Sequence, residues 1–383
     1  MDEETYVLLL STSKIILERR YILKSSKKIV ICALLIVVSI ISLTLINTRT
    51  NKTFKYKGST IALTIDGNSA TSFPASGKYN VTVNCNNAKG RWNPKTWKLE
   101  ITKITGTVTC DVSFNSSVTN LTTQVNNKAT RNENGKRYQG KNPDNYIWFN
   151  DGLWRIIGNI PVCLTSGCSS TQNRVKIIRN DSIGAIAFNQ TDYSASSPLT
   201  WMGSNIQNLL NSCYLGKKSS CDDYCYSYQA SAKGTCDYSS DGIDTADYYG
   251  NMVEDVYFNV GAGDSTYKTA TNYYTQEIAT HATNTSKIGL MYASDWGYAI
   301  EDFIGVLGYR ENSSDKNWLF SNGFEWTMSA YSSSYPLYVA IGGYLYSYLD
   351  PDGYAARPVL YLKSDVYVTG GAGSKTDPYT LGI

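Results

Sequence analysis

Few residues in this chain can do acid–base or covalent chemistry, and they are scattered. There is one histidine, His281. A Ser-His-Asp triad would have to use it, yet it sits in the polar run THATNTS with no nucleophile-elbow motif, which reads as a surface imidazole. Glycoside hydrolysis needs two carboxylates at a set separation, and nothing in the spacing of Glu254, Glu277, Glu301 and Glu325 selects a pair. Asp237, Asp241, Asp244 and Asp247 gather near Gly242. This is the one place for a structural calcium, but the spacing fails the D-x-D-x-D-G loop, so no cofactor and no metal is expected.

The cysteines are more informative. Of nine, Cys32 lies in an apolar run and eight follow it: Cys85, Cys110, Cys163, Cys168, Cys213, Cys221, Cys225 and Cys236. An even set beyond such a run reads as disulfides made in an oxidising space. A four-thiolate zinc site over Cys213, Cys221, Cys225 and Cys236 is the weaker reading, and the pairing of those four is open. The other candidate is a surface. Tyr331–Tyr354 holds Tyr331, Tyr335, Tyr338, Tyr344, Tyr346, Tyr348 and Tyr354 among serines and glycines. Tyrosine offers large amphipathic contact area at low side-chain entropy cost, as in antibody-like paratopes. Tyr344, Tyr346 and Tyr348 alternate, which predicts one shared strand face.

The elements that must position these residues follow from pattern. Ile29–Ile46 carries no charge, and as a helix it would be about 27 Å long, close to the hydrocarbon thickness of a bilayer. Basic residues are slightly denser before it than after it. The expectation is a single-pass protein of the cell membrane, with a cytoplasmic tail (1–28), an anchor (29–47), a polar leash (48–57) and extracellular domains beyond. Net charge is only +3 with no basic stripe, which argues against nucleic acid. From 58 to 114, apolar residues alternate in four segments separated by Gly and Asn turns, predicting a small all-β module. Cys85 and Cys110 fall in the apolar phase of their strands, so they are the natural pair, closing about 25 residues and stabilising by roughly 3 kcal/mol. Residues 115–140 are polar and aperiodic, which predicts a linker.

The last domain, 141–383, opens with a hairpin, Tyr146–Phe149 and Leu153–Gly158, about the turn Asn150-Asp151-Gly152. Val175–Arg179 is a further strand. Ser204 caps a helix whose apolar positions are Ile206, Leu209, Leu210 and Cys213. A second helix is predicted around Asn251–Tyr257, and a short one over Trp296–Ile300. The remainder reads as short strands.

Six phrases in order carry a resemblance: LWRIIG (153–158), VKIIR (175–179), NLLN (208–211), GLMY (289–292), EWTMS (325–329) and RPVLYL (357–362). Together they resemble a domain of unknown function in surface proteins of low-GC Gram-positive bacteria, similar to the C-type-lectin-like fold of formylglycine-generating enzymes. The resemblance implies an α+β C-type-lectin-like domain in which Trp154–Gly158 pairs near Val359–Leu362, and an exposed face built from the loops between Trp318 and Arg357. In some relatives of that fold the matching region is diversified. The oxidase activity of those enzymes needs late cysteines, and none follows Cys236. Calcium lectins use Glu-Pro-Asn or Gln-Pro-Asp loops, which are missing here as well. The expectation is therefore a membrane-anchored, non-enzymatic surface protein recognising a protein or glycan ligand outside the cell. The alternatives are an extracellular glycan or cell-wall hydrolase and a structural envelope protein.

Overall fold

The computed structural model describes residues 60–190, 201–228, 232–258, 261–262, 269–279, 285–300, 316–331, 335–347 and 353–383. The described residues all belong to one compact unit, Thr60–Ile383.

Thr109–Asn115 shows how the sequence makes the first sheet. Its residues alternate exposed and buried, so Cys110, Val112 and Phe114 all point inward. This strand pairs in parallel with Thr60–Ile65 and antiparallel with Asn80–Asn86, which sets Cys85 directly opposite Cys110. The two are disulfide-bonded. Trp92, from the hairpin Lys89–Asn93/Lys98–Thr102, packs edge-on against Phe114 at 4.8 Å and against Trp97 at 5.3 Å, completing a small core of its own.

The stretch expected to be a linker is structured. Leu121–Lys128 is a helix capped by the Asn120 side chain, and it buries Leu121 and Val125. Two apolar residues among six polar ones are too few to show a period by composition. Thr119–Asn120 pairs with Tyr367–Gly370, and Arg131–Asn132 and Lys136–Arg137 form a hairpin on the next sheet.

That next sheet runs Ile288–Gly289, Val359–Leu362, Thr171–Arg179, Gly152–Cys163, Lys136–Arg137, Arg131–Asn132, with Tyr146–Phe149 added to the long Gly152–Cys163 strand. The turn at Asn150-Asp151 has φ of 51° and 56°, the left-handed pair that a tight two-residue hairpin demands. Val359–Leu362 pairs with Val175–Ile178 and not with Trp154–Gly158, so the expected closure is corrected: one strand intervenes. A second sheet has the order Ala185–Ile186, Tyr354–Ala355, Glu325–Ala330, Pro336–Val339, Leu345–Ser347. Ser204 caps Asn205–Asn208, which continues as a wider turn through Leu209–Tyr214 and buries Ile206, Leu209, Leu210 and Cys213. No helix forms around 251–257. After the short turn Gly250–Met252, the β-branched Val253 and Val256 bridge to Leu362 and Ser286.

Two expectations are overturned. The α+β C-type-lectin-like class gives way to a mostly β protein, 39% strand and 14% helix, which does not identify a lectin-like fold. The described helices are short, of ten residues or fewer. Second, no helix among the described residues is long and apolar enough to cross a membrane. The run Ile29–Ile46, on which the single-pass placement with a cytoplasmic N-terminus rested, lies outside the described residues. The single-pass placement therefore has no support among the described residues.

Candidate functional site

The second sheet builds an aromatic ladder. Trp326 stands opposite Tyr338, and Tyr338 opposite Tyr346, so three rings line one face from the middle of the sheet to its last strand. The centroid distances are 6.0 Å for Trp326–Tyr338 and 5.8 Å for Tyr338–Tyr346, both edge-on. Tyr354 packs on Trp326 at 4.5 Å and on Tyr338 at 4.6 Å. The Trp326 indole N–H donates to the Ile186 carbonyl at 2.7 Å, which fixes the ring. Trp326, Tyr338 and Tyr354 are buried and form the floor.

Above that floor the rings reach solvent. Phe324 stacks on Tyr354 at 5.1 Å and is 40% exposed; Tyr346 is 39% exposed. Tyr344 is half-buried and meets Tyr346 edge-on at 6.2 Å. Between the last two strands the hairpin turns through Gly342 and Gly343, whose φ of 101° and 79° suit glycine. It projects Ile341, 57% exposed. Two of the large apolar side chains left in water, Phe324 and Tyr346, thus border one set of packed rings.

The expected tyrosines separate accordingly. Tyr338 and Tyr354 are structural; Tyr344 and Tyr346 share the open face. Tyr331 and Tyr335 are half-buried at the opposite end of the Pro336–Val339 strand, joined by the Tyr331 N–H donating to the Tyr335 carbonyl at 2.7 Å. Tyr348 lies outside the described residues, as do His281 and Glu301. Phe324 was missed because it precedes the tyrosine-rich segment. Its signal was an apolar residue one place before a strand, following a Ser-Asn-Gly turn.

A second cluster is wholly interior. The Asp295 carboxylate accepts from Lys176 Nζ at 2.5 Å, from Arg137 Nη1 at 2.9 Å and from the Tyr292 backbone N–H at 2.9 Å. All three charged side chains are at most 2% exposed. Burial pushes the Asp295 carboxyl up, but Lys176 and Arg137 outweigh it and hold it below the usual range. Burial also drives the Lys176 ammonium down, against the pull of Asp295. The Arg137 guanidinium lies over the Tyr298 ring at 4.3 Å. Nearby, Glu277 accepts from the Ser294 backbone N–H at 3.1 Å, from Ser329 Oγ at 2.6 Å and from the Ser294 hydroxyl. Burial raises its pKa to about 7, with the serine hydrogen bonds opposing. Perturbed carboxyls of this kind occur at active sites and in structural networks alike. Here every polar partner comes from the protein's own interior.

No family model, curated protein or solved structure matches the chain.

The other described carboxylates singled out from the sequence are also engaged. Glu325 pairs with Arg357 at 2.7 Å and accepts from Ser321 Oγ at 2.7 Å, tying the second sheet to the segment that leads into the first. Glu254 pairs with Arg174 at 2.8 Å. In the acidic loop, Asp241 pairs with Arg179 at 2.9 Å, Asp237 and Asp244 accept from nearby backbone N–H groups, and Asp247 accepts from Tyr249 and Gly250. Among the described residues no three His, Cys, Asp or Glu side chains converge as a metal site would require.

Among the described residues three disulfides are present: Cys85–Cys110, Cys163–Cys168 and Cys225–Cys236. Cys213 and Cys221 are buried thiols.

Proposed function

We propose that this is a non-enzymatic recognition protein of an oxidising cell exterior, which binds a protein or glycan ligand through the face carrying Phe324, Ile341, Tyr344 and Tyr346. The observation that carries the proposal is the pair of exposed rings, Phe324 and Tyr346, held in place by buried Trp326, Tyr338 and Tyr354. Rigid aromatic anchors give binding energy at little ordering cost, and a floor of packed rings pre-orients them. The disulfides favour the exterior. The engagement of Glu254, Glu277 and Glu325 in internal bonds disfavours a hydrolase.

The test is a binding screen of the full chain against glycan arrays and cell-surface extracts, followed by Phe324→Ala combined with Tyr346→Ala. A real face loses at least about tenfold in affinity, or 1.4 kcal/mol, with an unchanged melting temperature. Full binding by the double variant would remove the proposed face. Turnover of a glycan that is lost on changing a single carboxylate would replace the reading with the hydrolase.

A further inference from the structure

Cys213 closes the wide helical turn Leu209–Tyr214, and Cys221 follows eight positions later in the same loop. Both are buried, and the Cys221 thiol donates to the Lys218 carbonyl at 3.9 Å. The Lys218 backbone N–H donates to the Cys213 carbonyl at 3.2 Å, a turn that brings the two segments back together. The other six cysteines among the described residues are already paired, which leaves these two as each other's candidate partner there. We propose that Cys213 and Cys221 are the site of a fourth disulfide, formed when the chain meets a disulfide donor, either a low-molecular-weight disulfide or an exchange protein.

The chemistry is two-step exchange. One thiolate attacks a sulfur of the donor disulfide, forming a mixed disulfide and releasing one donor thiolate. The second cysteine thiolate then displaces the donor's other sulfur. The two cysteines lose two electrons and two protons, and the donor leaves as two thiols. Burial, followed by the neighbouring Cys213, pushes the Cys221 thiol up to about 12. Both thiols are shielded from solvent in the closed fold, so the exchange takes place before the loop is packed.

The bridge would also bear on the recognition face. The loop it closes leads into Tyr226–Tyr228, whose Tyr226 carbonyl accepts from Ala187 N–H at 2.6 Å. The Ser227 carbonyl accepts from Gly353 N–H at 2.7 Å. These contacts hold Ile186, the acceptor for Trp326, and the backbone beside Tyr354. A covalent root for this loop braces the floor of the aromatic face from behind.

The experiment uses the full chain carrying Cys32→Ser, folded in a glutathione redox buffer, denatured in iodoacetamide without reductant and weighed intact. We expect no alkylated cysteine, and a peptide map containing a Cys213–Cys221 cross-link. Two alkylated residues at these positions, or a cross-link from either to Cys225 or Cys236, would overturn the assignment. The same map on a chain with Cys225→Ser and Cys236→Ser removes the competing partners. There the Cys213–Cys221 cross-link should persist, and two free thiols would again overturn it. The outcome is independent of whether any ligand binds the aromatic face.

Discussion

Glu277 is the residue whose protonation matters most. Its folded pKa of about 7 lies above the 4.5 of an unperturbed glutamic acid. A raised folded pKa means that its contribution is complete below about pH 4.5 and is lost as pH rises through 7. The difference corresponds to roughly 3 kcal/mol. Melting curves between pH 5 and pH 8.5 should therefore show a fall that Glu277→Gln abolishes, since Gln keeps a neutral acceptor for Ser294 and Ser329. A flat wild-type profile would contradict this. Asp295 works in the opposite sense. Its depressed pKa gives stability above the ordinary carboxyl range that is lost in acid. Asp295→Asn leaves Lys176 and Arg137 buried without a counter-charge, and denaturant melts should show a cost of roughly 3–5 kcal/mol. The sequence carried a signal for this network that went unread: Lys176 interrupts the apolar run Val175–Ile178, in a strand buried on both sides. A charge at such a position needs a partner, but the partner, 119 residues away, is given only by the fold.

At the scale of elements, Gly158 is a sharp test. A Cβ there would meet the Lys136 carbonyl oxygen at 2.3 Å and Arg137 Cα at 3.1 Å, both backbone atoms that cannot swing aside. Gly158→Ala should push the Lys136–Arg137 strand outward, draw Arg137 away from Asp295 and cost more than about 2 kcal/mol in chemical denaturation. The N-cap gives a milder case. Ser204 Oγ accepts from Gln207 N–H at 3.2 Å, so Ser204→Ala should lower stability by about 1 kcal/mol. Elements with a strong local code were legible. The alternation of Cys110, Val112 and Phe114, the Asn150-Asp151 turn and the Ser204 cap all declare themselves within a few residues. The helix Leu121–Lys128 did not, because only Leu121 and Val125 face inward. The position of Val359–Leu362 beside Val175–Ile178 did not either, since order within a sheet is set by long-range packing. Of the candidate face, the tyrosine density marked the right hairpin. Strand register puts Trp326, Tyr338 and Tyr346 on one face; which of them are covered and which stay in water is set by packing from distant segments such as Tyr354.

For the whole molecule, the small β-module is attached by side chains as well as by chain. Lys95 bridges to Asp151 at 3.2 Å and Asp247 at 3.4 Å, Arg91 lies over Trp148 at 4.5 Å, and Lys78 lies over Tyr367 at 4.8 Å. These are partly exposed polar contacts, each worth about 1 kcal/mol or less and weakened by salt. Arg91→Ala with Lys95→Ala should speed hydrogen exchange across 89–102 while leaving exchange across 152–179 unchanged. Equal acceleration in both regions would show that the two cores open together.

The pairing of Thr119–Asn120 with Tyr367–Gly370 has a consequence in time. Asn120 donates to the Ser364 carbonyl 244 positions away, and Gln124 to the Tyr379 hydroxyl 255 positions away. Neither bond can form until the chain has been synthesised through Ser364 and Tyr379, whereas the module's strands meet within about 50 residues of one another. Contacts of such long loop closure slow folding. The emerging chain can thus pair the strands of residues 60–115 early, while the sheets after them must wait for Val359–Leu362 and Tyr367–Gly370, with their aromatic residues uncovered in the interval.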